Sequence, residues 1–212
     1  MNDPLSNPGR KLPLAPPARF VAGARQAMGG IDFDPWTTRT NNRLVLATRF
    51  LDRELIVDPT IACNDPWDIP EAGRVLCVTP AGMIHTRRFL ARILKEYRRG
   101  TVKQACVLVG TGEAATKIPW LWDLPIAMPF TRLGFRWYDD ECEKFRTSQP
   151  THWSFVVFFP PTATPEAAQA GLVRFHDAFA PFSRIIVNEF AGDTSWKQHY
   201  KQYFGREFQE SR

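Results

Sequence analysis

Three consecutive segments constrain the fold more than any others: an apolar run at 75–78, a helical pattern at 84–98 with Phe89, Ile93 and Tyr97 four apart, and a second apolar run at 105–109. Thr79-Pro80 separates the first run from the helix, and Gly100 ends the helix. Strand, turn, helix and strand in that order make a crossover unit, and a crossover joins parallel neighbours. The rest of the chain continues the alternation. A helix is expected at 18–28, with Phe20, Ala24, Ala27 and Met28 near one face and Gly29-Gly30 past its end, and a strand follows at 31–34. Further strands are expected at 155–159 and 185–187, with a helix at 165–179 opened by Thr164-Pro165. Residues 41–51 read as a short helix or an irregular segment, 58–71 as loop, and 114–121 as helix. The sum is an α/β sheet.

With 212 residues, 44% of them hydrophobic, the chain suffices for one core. The organisation expected is a Pro-rich flexible arm at 1–17, an α/β domain at 18–190, and a basic aromatic tail at 191–212. In that tail Trp196, Tyr200, Tyr203 and Phe204 fall near one helical face among Lys197, Lys201 and Arg206, a face suited to packing on its own core or on a second subunit of a homodimer. Cys63, Cys77, Cys106 and Cys142 lack C-x-x-C spacing, which fits reduced thiols in a cytoplasmic protein. No apolar run reaches the roughly 20 residues that span a bilayer, so no membrane partner is expected. The net charge of +5 is compatible with a polyanion such as DNA and equally with solubility alone.

Ligands of open α/β sheets bind outside the carboxyl ends of the strands. Two such ends stand out. In Gly30-Ile31-Asp32-Phe33-Asp34-Pro35 the carboxylates of Asp32 and Asp34 alternate with Ile31 and Phe33 and so share one side, while Pro35 helps to end the strand. Asx-type capping of the following turn is the competing role for both carboxylates. In Thr79-Pro80-Ala81-Gly82 the proline forces Thr79 into an extended conformation and turns its hydroxyl and carbonyl away from the sheet; an ordinary strand-to-helix turn is the alternative. The segment 130–138 mixes Arg132 and Arg136 with Phe135, Trp137 and Tyr138, as a surface for unstacked bases does, and as an alternating strand with a buried aromatic face does equally. The four histidines show no metal spacing, so no metal site is expected; His152, beside Trp153, is the one placed to contact a ligand.

These blocks resemble the phage-type DNA N6-adenine methyltransferases, in which a strand ending Asp-Pro is followed by an Asn and an Ala, and a later strand ends Asn-Pro-Pro-Tyr-Gly. Here 30–35, then Asn41, Asn42 and Ala47, resemble the first block, and Trp67 with 73–82 resembles the second. The strand 105–109, Arg132-Leu133-Gly134-Phe135 and the strand 153–159 follow in the family's order, so the resemblance covers 16–187. It implies a Rossmann-like, methyltransferase-type sheet with helices on both faces, and transfer of a methyl group from S-adenosylmethionine to a base amino group of DNA, adenine N6 first, on a flipped base. Asp34, with Asp32 and Pro35, would hold the cofactor; Thr79 and Pro80 would hold the amino group; Arg132, Arg136, Trp137 and His152 would contact DNA. The chain departs from the pattern at the chemistry itself. Thr79 stands for the Asn, Ala81 for the second Pro and Gly82 for the Tyr that stacks on the base, a loss of roughly 1 to 3 kcal/mol of stacking. Leu12-Pro13-Leu14-Ala15-Pro16 stands where the family carries an aromatic-x-Thr-Pro segment. The alternative implied is a pseudoenzyme that keeps the fold and binds DNA or a protein partner.

Overall fold

The structure, a computed structural model, describes residues 14–56, 58–71, 73–139, 142–148 and 153–187. The expectations for the arm at 1–13, for His152 and for the tail at 191–212 lie outside the described residues.

Seven strands form one mixed sheet: β1 (Phe33–Thr37), β2 (Arg49–Asp52), β3 (Arg74–Val78), β4 (Gln104–Val109), β5 (Ile126–Pro129), β8 (Phe155–Phe159) and β9 (Ser183–Ile186), in the order β2-β1-β3-β4-β8-β5-β9. The strands β6 (Arg136–Asp139) and β7 (Lys144–Thr147) pair separately as a small hairpin. The half from β2 to β4 is parallel, and the β4–β8, β8–β5 and β5–β9 pairs are antiparallel. The fold is therefore α/β and compatible with a Rossmann-like arrangement. Every residue of β4 and β8 is buried, which explains why both read as unbroken apolar runs.

Helices cover both faces. On one side, α1 (Ala18–Met28), α2 (Arg39–Val45) and α6 (Pro165–Phe179) contribute Phe20, Ala24, Val45, Leu172 and Phe175 to a core that includes Leu76, Cys106 and Phe158. Phe158 and Phe175 stack there at 4.6 Å. On the other side, α3 (Pro59–Asn64), α4 (Met83–Arg98) and α5 (Ala114–Lys117) add Cys63, Phe89, Leu90, Ile93 and Ala114 to a core containing Phe33, Val75, Val107 and Phe159. No helix among the described residues is long and apolar enough to cross a membrane.

Several expectations change. The first strand does not stop at Asp34. It runs from Phe33 to Thr37 through Pro35, with a register shift against β2 between Asp34 and Thr37 that lets the strand tolerate a residue without an N–H. Ile31 and Phe33 do not share a face, because regular pleating begins only at Phe33: Ile31 enters the first core and Phe33 the second. The segment 41–51 resolves into the end of α2 and the start of β2, joined by a turn in which Asn42 both donates to and accepts from the backbone of Ala47. The stretch 58–71 contains α3, started by Asp58, whose carboxylate accepts from Thr60 N, and by Pro59. The helix expected at 114–121 is cut short by Pro119 and gives way to a 3-10 turn at Pro119–Asp123. Residues 14–17, assigned from the sequence to the arm, are packed: Ala15, Pro16 and Pro17 are buried, and Ala15 bridges to Arg136.

Candidate functional site

The sheet's connections locate the site. From β1 the chain moves through α2 to β2 on one flank, and from β3 it moves through α4 to β4 on the other, with α2 and α4 on opposite faces. The strand order therefore reverses between β1 and β3, and a crevice at that switch point opens at the strands' carboxyl ends. The β1–β3 ladder records one registered pair, Phe33↔Val75, whereas β3 and β4 stay paired over five residues. Of the two segments singled out in the sequence, Thr79-Pro80 follows the end of β3 and Asp34-Pro35 lies within β1, on the two strands that flank this switch point.

Within β1, Asp34 is 2% exposed and accepts a hydrogen bond from Trp36 N at 3.0 Å. That bond is the Asx-type cap the sequence left open. Burial pushes the Asp34 carboxyl up to about 7; the Trp36 bond and the charge of Arg53 oppose the rise without cancelling it. Arg53, just past β2, is half-buried, and its Nη2 donates to Leu14 O at 2.9 Å. Asn41 Nδ2 donates to the same carbonyl at 3.2 Å, and Thr38 caps α2 by accepting from Asn41 N. The strip 14–17 thus spans from the loop after β1 to the β6–β7 hairpin, across the carboxyl edge. Trp36 fills the other side of the crevice mouth, its ring edge against Phe89 of α4 at 5.7 Å.

At the β3 end, Thr79 is 5% exposed; its N–H donates to Leu108 O and its Oγ1 accepts from Gly110 N at 3.3 Å. Pro80 is buried and its carbonyl accepts from Thr86 Oγ1. Gly82 holds φ at +91°, a conformation that favours glycine, and α4 starts at the next residue.

Asp32 is placed elsewhere. It precedes β1 at the amino edge, where Arg74 grips it through Nε, Nη2 and its own backbone N–H, at 2.6 to 2.8 Å. Burial alone would raise the Asp32 carboxyl, but the hydrogen bonds and charge of Arg74 outweigh it and hold the carboxyl below its ordinary value. Asp32 and Asp34 therefore do not act together. Gly30 is required here: at φ +148° a Cβ would lie 2.7 Å from the Arg74 guanidinium.

The predicted nucleic-acid contacts divide. Arg132 is exposed and, with Arg19 and Arg136, lines a cavity of about 440 Å³ at the start of α1. That cavity belongs to the same edge as the crevice. The end of α1 is tied to the amino edge by Arg74 Nη1 to Gly29 O and by Gln104 Nε2 to Met28 O, so its first residues lie about 16 Å away toward the carboxyl edge. Arg136 is half-buried, donates to Phe145 O and lies over the Phe145 ring. Trp137 is half-buried under the Arg146 guanidinium, and Tyr138 packs on Phe145 beneath Arg43. The aromatic and basic alternation of 130–138 is thus largely spent within the hairpin.

Sequence reasoning missed Arg53, Arg19 and the carbonyl of Leu14. Thr38, placed to cap, was a further signal for α2, which the sequence offered only as one of two readings of 41–51; nothing local marks Arg53, whose position follows from β2 pairing with β1. No known protein family, curated protein or solved structure matches the chain.

Proposed function

We propose that this chain is a DNA methyltransferase-like protein that uses S-adenosylmethionine and addresses a base amino group, adenine N6 first. The observation that supports the reading is the parting of β1 from β3 beyond Phe33↔Val75 at the switch point of the sheet, with Asp34-Pro35 within β1 on one side and the Thr79-Pro80 turn after β3 on the other. The residues present fit the cofactor. Asp34 is a buried carboxylate whose desolvation is not offset, so a cationic ligand bearing hydroxyl or ammonium donors would relieve it. S-adenosylmethionine supplies an electrophilic methyl group. Asp34 would hold its polar donors, the strip 14–17 would close over it, and the Thr79 hydroxyl and carbonyl would accept hydrogen bonds from the base amino group and fix its direction. Base flipping is needed because a stacked amino group cannot be approached by these groups. Arg19 and Arg132 would contact backbone phosphates.

One observation favours the second reading, a DNA-binding protein without turnover: Thr79 is buried, and its Oγ1 already accepts from Gly110 N. Isothermal titration of S-adenosylmethionine, with transfer of a labelled methyl group into DNA measured on the same sample, separates the two. The enzyme reading expects binding, incorporation, and in Thr79→Ala a loss of incorporation with binding retained. A folded protein that binds DNA and takes up no cofactor would establish the second reading.

A further inference from the structure

We infer that Phe130 and Trp153 form a stacking platform for an unpaired nucleobase, beside the Thr79–Pro80 turn, in place of the aromatic that Gly82 lacks; this rests on the DNA reading above. Six large hydrophobic side chains are exposed among the described residues, and these two, at 63% and 46%, are the aromatic ones. Both stand at the carboxyl edge of the parallel strands. Thr79 Oγ1 meets Gly110 N, Val109 pairs with Phe155 at the start of β8, and Trp153 lies two residues before Phe155. The strand β5 ends at that edge too, and Phe130 follows it, its N–H held by Phe182 O. The strands β5 and β8 are neighbours, paired at Ile126↔Val157 and Ala127↔Val156, so Phe130 past the end of one and Trp153 before the start of the other flank the same part of the edge.

Neighbouring strands lie about 5 Å apart, so both rings stand on the same stretch of that edge. Two strand spacings, about 10 Å, separate β3 from β8, a distance that a nucleobase together with an indole side chain can span. Single exposed hydrophobics are ordinary on any surface. What distinguishes this pair is its company: Arg132 follows Phe130 by two residues and shares a cavity with Arg19 and Arg136. Cations that track a phosphate backbone next to rings that take base faces are the recurring design for unpaired nucleic acid. Next to Trp153 in the chain, Ser154 is buried and its Oγ has no hydrogen-bond partner among the described residues.

The test compares two labelled probes on the full chain by fluorescence anisotropy: a short single-stranded deoxyadenylate oligonucleotide, and an oligonucleotide of equal length with abasic sites throughout. The wild type is expected to prefer the first, and Trp153→Ala and Phe130→Ala to weaken it by roughly 5- to 150-fold while leaving the abasic probe unchanged. Trp153→Phe should restore most of the preference, which a loss of folding would not allow. Equal affinity of the wild type for both probes, no binding to either, or an equal loss on both probes in the variants would overturn the platform. So would a change of sedimentation in the variants with unaltered DNA binding, which would make the rings a subunit contact. Cofactor titration on the same samples reports on methyl transfer separately, so the platform and the enzyme reading can fail independently.

Discussion

Asp34 and Asp32 are two residues apart and have opposite electrostatic fates. The difference is the partner, since both are buried. Asp32 has a guanidinium at 2.6 Å, while Asp34 has one backbone N–H and a more distant arginine. Because the folded-state pKa of Asp34 lies above its unfolded value of 3.8, its contribution is fully favourable below about pH 4 and is lost as pH rises through about 7. Asp34→Asn keeps an acceptor for Trp36 N and has no charge to bury. Its stability relative to the wild type is expected to rise by roughly 4 kcal/mol between about pH 4 and pH 8, read from denaturant unfolding across that range. A difference that stays flat with pH would show that Asp34 does not titrate there. The same titration bears on function, since a cationic ligand held by the carboxylate should bind more tightly above pH 7 than below.

At the scale of elements, the clearest sequence signals were those whose burial is decided by their own composition. The strands β3, β4 and β8 are apolar throughout or nearly so, and α4 and α6 carry a regular buried stripe, so each was legible without knowledge of its neighbours. The elements α2, β2 and α3 were not. They have seven, four and six residues, and β2 has no buried position; α2 is held by its cap and by α1, β2 by pairing with β1, and α3 by its cap and by α4 and β1, rather than by periodicity. The site followed the same division: Pro80 marked the end of β3, whereas β1 ran on through Pro35 to Thr37 and Arg53 depended on a strand the sequence did not announce. The β6–β7 hairpin depends on a close approach that is testable. A Cβ on Gly134 would lie 2.6 Å from Thr147 Cγ2 and 3.0 Å from Ser148 O. Gly134→Ala is expected to cost about 1 to 3 kcal/mol. Hydrogen exchange should show the loss in the hairpin amides first, and uniform acceleration across β4 and β8 would contradict that assignment.

For the molecule as a whole, basic side chains stand at both edges of the sheet. Arg19 and Arg132 sit at the carboxyl edge, whereas Arg98 and Arg99 end α4 at the opposite edge. If DNA lies across the carboxyl edge, Arg19→Ala should reduce the slope of log affinity against log salt by about 0.7 to 0.9, and Arg98→Ala should leave it unchanged. The reverse pattern would move the DNA to α4. The strip 14–17, which walls the crevice, also has a consequence in time. Ala15 leaves the ribosome 121 residues ahead of its partner Arg136, a wait of about 6 to 24 s at roughly 5 to 20 residues per second. In the second half of that interval β1, β2 and β3 can pair while Leu14 has Asn41 and Arg53 and Ala15 still lacks Arg136, so a chain arrested before the hairpin would carry the switch point with its cover fastened at one end only.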